Sequence, residues 1–283
     1  ADYMDRWRKL RKEGVQHPRQ AMPEDVVDQF DDHKHLEILF KKSMPSAFYN
    51  AMIAPLSPYR LRGVVWYQGE SNARRPKGYA TLLKALITSW RDLWGQDNFA
   101  FHVVGIANIH EPPETPTDSG WARIRDAQFR VTRKTKNAGF ANTIDLGEAD
   151  TAHPKNKQEV GARLVRVALA ETYRRPDIIA SGPVFDGLTK TDKGTIVHFS
   201  DTAGKLNKRG DAPLAGFAVA DADRQWHWAE AEIRSRNTVM VTCDEVENPV
   251  AVRYGWSDNP TTNLYNEAGL PAVPFRTDDW PRQ

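Results

Sequence analysis

The sequence contains a single cysteine, Cys243, among its 283 residues. One thiol forms neither an internal disulfide nor a cysteine-based metal site, so both kinds of cross-link are excluded within this chain. A strong excess of one charge is missing too, because 39 Lys and Arg face 37 Asp and Glu and leave a formal net charge of +2. So small a charge gives no reason to expect a polyanionic partner, and we expect no nucleic acid and no membrane among the partners.

Long apolar runs are also absent. Stretches such as residues 64–67 are far shorter than the ~20 residues that span a bilayer. A signal peptide has a basic start, an apolar core and a small-residue cleavage site in that order, and the N-terminus does not show this pattern. Since Ala1 leads straight into a charged segment with helical character over residues 2–12, we expect the natural start of the protein to lie upstream.

Residues 1–45 are rich in charge, and we interpret them as a solvated helix-and-loop segment that belongs to the first domain. Within it, residues 31–35 read Asp-Asp-His-Lys-His, which has the residue types of a metal site. A lysine separates the two histidines, however, and no further ligands follow at a useful spacing. We therefore expect no metal and no cofactor.

Residues 46–180 alternate between strand and helix patterns. Residues 61–67 form a β-branched and aromatic run typical of a buried strand, and apolar residues recur at helical spacing from Tyr79 to Trp94, before Gly95 at the expected C-cap. This alternation predicts an α/β domain with a parallel sheet covered by helices on both faces. Ligands bind such sheets at the carboxyl ends of the strands, where the loops after Tyr67 and Leu146 fall.

The hydrophobic period changes to two after residue 180. Ala229, Ala231 and Ile233 alternate with charged residues, and Val239, Val241 and Cys243 alternate with polar ones or methionine. Strands with one wet face and Gly, Asp and Pro turns predict a small C-terminal β-sandwich-like domain over residues 181–283.

The loop after residue 67 reads Gln68-Gly69-Glu70-Ser71-Asn72 and has two interpretations. Gly69-x-Ser71-x-Ala73 partly matches a nucleophile elbow, with Ser71 as the nucleophile, but it lacks the usual final glycine. In the interpretation that we favour, Gly69 N–H and the side-chain amides of Gln68 and Asn72 stabilise a developing oxyanion.

The loop before residue 155 contains Asp150 and His153 in an Asp-x-x-His-Pro pattern. This spacing allows the carboxylate to bind one imidazole nitrogen while the other faces the cleft, which would make His153 an oriented general base. The pattern alone is common in purely structural loops.

Together, the two loops resemble the sialate O-acetylesterase family of SGNH-type hydrolases. The resemblance extends over residues 45–278 and includes residues 47–53 (AFYNAMI), 153–161 (HPKNKQEVG), 252–256 (VRYGW), 263–266 (NLYN), 269–271 (GLP) and 274–277 (PFRT). It implies a flavodoxin-like three-layer α/β/α hydrolase domain with a β-rich appendage, no metal, and hydrolysis of acetyl esters on sialic acid or other sugars. The resemblance assigns the acid-base pair to Asp150 and His153 and oxyanion support to Gln68, Gly69 and Asn72.

The family's nucleophilic serine lies in a Gly-Gln-Ser-Asn motif after the first strand, and residues 1–283 contain no such motif. We therefore expect the α/β/α sandwich to be incomplete at its N-terminus, with the serine on a preceding segment or a separate chain that acts as a partner. An acetylated polysaccharide such as xylan, or carbohydrate binding without catalysis, remains an alternative. By the same resemblance we expect a secreted, periplasmic or lysosome-like location.

Overall fold

The computed structural model describes residues 46–96 and 98–281. The predicted helix over residues 2–12, the cluster at residues 31–35 and the rest of the segment over residues 1–45 lie outside the described residues. The chain divides into two compact units, Ala1–Arg60 and Leu61–Gln283. In the first, Tyr49–Ile53 forms a π-helical turn and Ala54–Leu56 a 3₁₀ turn. The predicted domain boundary near residue 180 stays a prediction.

A parallel sheet with helices on both faces begins the second unit, as the strand and helix pattern predicted. Its strands are ordered β1-β2-β3 and comprise β1 (Gly63–Trp66), β2 (Ala100–Val104) and β3 (Ala138–Ala141). Its helices are α1 (Tyr79–Trp94), α2 (Gly120–Lys134) and α3 (Lys157–Val167), the last extended by a π-helical turn over Ala168–Thr172. The fold class is therefore α/β.

The local sequence explains where these helices lie. In α1 the buried residues Tyr79, Leu83, Ile87 and Arg91 recur every four positions and form one inward face. Gly95 ends the helix in the left-handed conformation, at φ +57°, as expected for a C-cap glycine.

The two faces of the sheet are covered by different helices. Phe101 and Val103 on β2 pack in one core cluster with residues of α1 and α2. His102 lies between them and points the other way, where its Nε2 is 2.9 Å from Thr172 Oγ1 in the extension of α3. The sheet is thus the middle of three layers.

The remaining chain is antiparallel, as the period-two pattern predicted. One sheet has the order β4-β5-β10-β9, a second the order β13-β11-β7-β8, and β12 pairs with β6. The strands are β4 (Val184–Thr191), β5 (Gly194–Ser200), β6 (Leu206–Lys208), β7 (Phe217–Ala220), β8 (His227–Trp228), β9 (Glu230–Ile233), β10 (Thr238–Thr242), β11 (Ala251–Tyr254), β12 (Leu264–Asn266) and β13 (Phe275–Arg276). A shared core that includes Val197, Val239, Phe217 and Tyr254 joins the two four-stranded sheets into a sandwich.

Among the described residues, no helix combines the length and the apolar character that crossing a membrane requires.

Candidate active site

Three loops follow the carboxyl ends of the three parallel strands, and contacts between side chains or backbone groups join them. The loop after β1 contains the Gln68–Asn72 motif, the loop after β2 contains Asn108 and His110, and the loop after β3 contains Asp150 and His153. His110 N–H donates to the Ala149 carbonyl oxygen at 2.9 Å, which connects the second loop to the third. Lys157 Nζ, at the start of α3, lies 4.9 Å from the ring centre of Tyr67 and connects the third loop to the first.

Buried polar side chains hold the loop after β1 in place. Gln128 on α2 is fully buried, and its Nε2 donates to the Gln68 carbonyl oxygen at 2.9 Å. The same oxygen accepts from the Tyr79 hydroxyl at 2.9 Å. Burial, opposed by a hydrogen bond with Gln128, raises the pKa of Tyr79, so the hydroxyl stays protonated and remains a donor at neutral pH.

Gly69 is required at its position for two physical reasons. Its φ of +156° is a conformation that residues with side chains rarely adopt. A Cβ there would also lie 2.9 Å from Ile124 Cγ2 and 3.0 Å from Ile106 Cγ2, closer than carbon atoms pack. The chain can therefore bring the Gly69 N–H to this place only without a side chain.

The three predicted oxyanion donors have defined partners. Gly69 N–H donates to Glu70 Oε2 at 2.8 Å, so its own neighbour occupies this donor. Gln68 Nε2 donates to Asn72 Oδ1 at 2.8 Å, an interaction that fixes which end of the Asn72 amide is the acceptor. The Asn72 Nδ2 group has no hydrogen bond within residues 46–96 and 98–281, and it is the donor left available for a ligand. Ser71 is exposed within a 3₁₀ turn, Glu70–Arg74.

The loop after β3 places Asp150 and His153 at the surface, both exposed. His153 N–H donates to Thr151 Oγ1 at 3.0 Å, and Lys155 N–H donates to Glu148 Oε1 at 2.6 Å. In the part of the chain that the structure describes, no hydrogen bond joins the Asp150 carboxylate to the His153 imidazole. The structure thus brings the two residues onto one loop without pairing them.

A second carboxylate-histidine pair lies at the same edge of the sheet and was not predicted. His110 Nδ1 is 3.2 Å from Asp258 Oδ2, and the Ser119 hydroxyl donates to Asp258 Oδ1. Asp258 is 148 residues from His110 in the sequence, so no local spacing could have indicated the pair. It links the loop after β2 to the loop after β11.

Arg125 was not predicted either, because no local pattern in the sequence indicates a buried arginine. Its guanidinium is buried and donates to the carbonyl oxygens of Ile106 and Ser257 at 2.8 Å, and of Ala107 and Asp258 at 3.2 and 2.8 Å. Burial, opposed by the negative charge of Asp258, lowers its pKa to about 9, so it remains charged at neutral pH. Arg125 therefore joins the loop after β2 to the β-rich part of the unit.

Comparisons with known proteins show what this chain is similar to. A family model described as carbohydrate esterase, sialic acid-specific acetylesterase, matches residues 36–170. Human sialate O-acetylesterase is 29% identical over 257 residues, which cover 82% of this chain and 49% of the human protein. The rat protein of the same name is 27% identical over 252 residues, covering 81% and 46%.

A solved structure is similar as well. The crystal structure of a carbohydrate acetylesterase from Xanthomonas citri superimposes with a TM-score of 0.79 at 37% sequence identity. The match covers 85% of this chain and 56% of that one. The chain spans about half the length of the curated relatives it matches.

Proposed function

We propose that this chain, which belongs to the sialic acid-specific acetylesterase family of carbohydrate esterases, carries the acid-base and oxyanion groups of an enzyme that hydrolyses acetyl esters on sugars. The observation that carries the proposal is the contact between Tyr67, directly before the Gln68–Asn72 loop, and Lys157, directly after the loop of Asp150 and His153. Both loops follow the carboxyl ends of strands in one parallel sheet. Ligands of such sheets bind at that edge.

The proposed reaction has two steps. A serine hydroxyl attacks the acetyl carbonyl carbon while His153 takes its proton, and the resulting oxyanion accepts hydrogen bonds from the loop after β1. The ester C–O bond then breaks, and His153 returns the proton to the departing sugar hydroxyl. Water then gives a proton to His153 and attacks the acetyl carbonyl carbon, the bond from that carbon to the serine oxygen breaks, and His153 returns the proton to the serine as acetate leaves. Asp150 orients His153 during both steps, which requires a hydrogen bond that forms with substrate.

Two donors of the loop after β1 have distinct roles in this proposal. Asn72 Nδ2 is the available donor, because Gln68 fixes the orientation of its amide. Gly69 N–H becomes available when the oxyanion replaces the Glu70 carboxylate that it now binds. One such donor is typically worth about 3 kcal/mol of the barrier.

The serine itself is proposed to lie on a segment other than residues 1–283. Ser46 and Ser57 lack the glycine and amide neighbours of the family motif, and Ser71 follows the glycine on a turn better suited to anion binding. A further observation supports a missing neighbour: among residues 46–96 and 98–281, β1 pairs with β2 alone, and its Val65 is 59% exposed, whereas parallel sheets are normally covered on both faces. A strand carrying the serine would pair at this edge.

A fluorophosphonate probe, which labels activated serines, tests the proposal in the complete protein. Peptide mapping should place the label on a serine outside residues 1–283, and His153→Ala should abolish the labelling because the base is lost. Label on a peptide that contains Ser71 would overturn the assignment. Substrate assays should include O-acetylated sialic acid and acetylated xylan, since the residues of the two loops do not distinguish one acetylated sugar from another. A location outside the cytosol is part of the same proposal.

A further inference from the structure

A cavity lies between the loop after β2 and the β-rich part of the unit, and its walls include no residue of the Gln68–Asn72 loop and neither Asp150 nor His153. We call it the tryptophan pocket; it has a volume of about 270 Å³, and its walls include Thr115, Asp118, Arg224, Trp226, Arg253 and Trp280. We propose that the tryptophan pocket binds one pyranose ring that carries a carboxylate, an acidic sugar. The proposal rests on the proposed function only for the choice of a sugar as the ligand class.

The aromatic part of the pocket is an angled pair of indoles. Trp226 and Trp280 have ring centres 5.5 Å apart and planes inclined by 56°. The Arg253 guanidinium lies 3.9 Å from the ring centre of Trp226 and fixes that indole from one side. The electron-rich faces of indoles attract the weakly positive C–H groups of a sugar ring, and the volume is large enough for a single ring.

The charges around the pocket leave one cation without a carboxylate. Arg253 is paired with Asp278 through two contacts of 2.9 Å. Asp118 is paired with Arg123 at 2.7 Å and also accepts from Trp256 Nε1. Arg224 is exposed at the rim, 5.4 Å from the ring centre of Trp280. Within residues 46–96 and 98–281, no carboxylate forms an ion pair with it. An anion is therefore favoured, and a planar guanidinium matches a carboxylate in shape.

The backbone of Arg224 supports the same conclusion. Its φ of +66° lies in the left-handed region, which residues with side chains adopt infrequently. Such conformations concentrate at ligand sites, where the surrounding structure maintains them. Here a hydrogen bond from Arg224 N–H to the Asp221 carbonyl oxygen, 3.2 Å long, closes the turn.

Titration of the purified protein with two probes tests the proposal without any turnover. One probe is the methyl glycoside of N-acetylneuraminic acid, which has a free carboxylate and no acetyl ester; the other is its neutral methyl ester. Isothermal calorimetry should give a Kd at least about tenfold lower for the acid, because hydrogen bonds to charged groups are the stronger kind. Arg224→Gln should remove this preference for the acid, and Trp280→Ala should raise the Kd of both probes.

Matched controls separate the pocket from other sites. Arg236→Gln and Trp228→Phe change an exposed arginine and an exposed tryptophan outside the tryptophan pocket, and both should bind like the unmodified protein. His153→Ala, which the proposed function predicts to be inactive, should also bind normally. Equal affinity for the two probes, no binding at all, unchanged binding in Arg224→Gln, or loss of binding in His153→Ala would each overturn the proposal.

Discussion

The two loops that carry the candidate site are held in different ways. The loop after β1 rests on buried partners, Gln128 and Tyr79, and contains a glycine that no other residue can replace without strain. The loop after β3 is exposed at Asp150 and His153, and its local hydrogen bonds lie at the surface.

This difference indicates that the oxyanion donors are preorganised and that the acid-base pair is not. Oxyanion donors act best when their positions are fixed before the reaction, and buried support provides that. An acid-base pair gains its geometry when substrate and nucleophile arrive, and catalytic hydrogen bonds are often long or unformed without them. We expect changes in the exposed loop to alter turnover and changes in the supported loop to alter stability.

Loss of the His153 imidazole should have the largest effect. In the complete enzyme, His153→Ala should lower kcat by about 10⁴-fold or more, because loss of a triad base has effects of that order. The melting temperature should change little, since the side chain is exposed. Acetate release and thermal unfolding, measured on the same preparation, separate the two effects.

The unpredicted pair provides the matched control for this variant. His110→Ala removes an exposed imidazole that already has a carboxylate partner, Asp258, at the same edge of the sheet. It should retain most of the turnover, and Asp258→Asn should do so too, whereas Asp150→Asn should be severe. The opposite pattern, with His110 essential and His153 dispensable, would transfer the role of base to the hydrogen-bonded pair.

A methyl group at residue 69 should test the supported loop. Gly69→Ala should lower the free energy of unfolding by about 2 kcal/mol, because the new Cβ would contact Ile106 and Ile124 and the backbone would be strained. Gly78→Ala is the matched variant, because Gly78 has a φ of +95° but no atom within 4 Å of the new Cβ. Its free energy of unfolding should fall only by the amount that backbone strain accounts for. Equal losses in urea unfolding would mean that packing under Gly69 is loose.

The pH dependence of stability should show the smallest effect, from the buried His102 of β2. Burial lowers its pKa, so the folded state binds a proton less readily than the unfolded state. Its contribution is therefore complete above the unfolded pKa of about 6.5 and is lost as the pH falls below that value. His102→Gln should flatten this part of the profile in urea unfolding at several pH values, and an unchanged profile in this variant would contradict the assignment.

Much of the fold was predictable because the signals are local. Helix α1 followed from its apolar spacing and Gly95, and the antiparallel strands followed from alternation. The candidate loops followed from motifs at strand ends. Contacts between distant segments left no such signal: Gln128 and Arg125 are polar residues on a helix, and only the folded structure places their side chains against carbonyl oxygens of other loops. Likewise, Glu70 has a role at Gly69 N–H that its sequence position alone does not reveal.

Complementation by the proposed serine-bearing segment is the most direct test of the proposed function. Residues 1–283 alone, and the same chain joined to a preceding segment that carries a Gly-Gln-Ser-Asn motif, would be compared for acetate release from 4-nitrophenyl acetate and from an O-acetylated sialic acid. We predict no esterase activity for residues 1–283 by themselves and full activity with the segment, because a histidine base without its serine cannot form the acetyl-enzyme. Full activity from residues 1–283 alone would contradict the account and place the nucleophile within this chain.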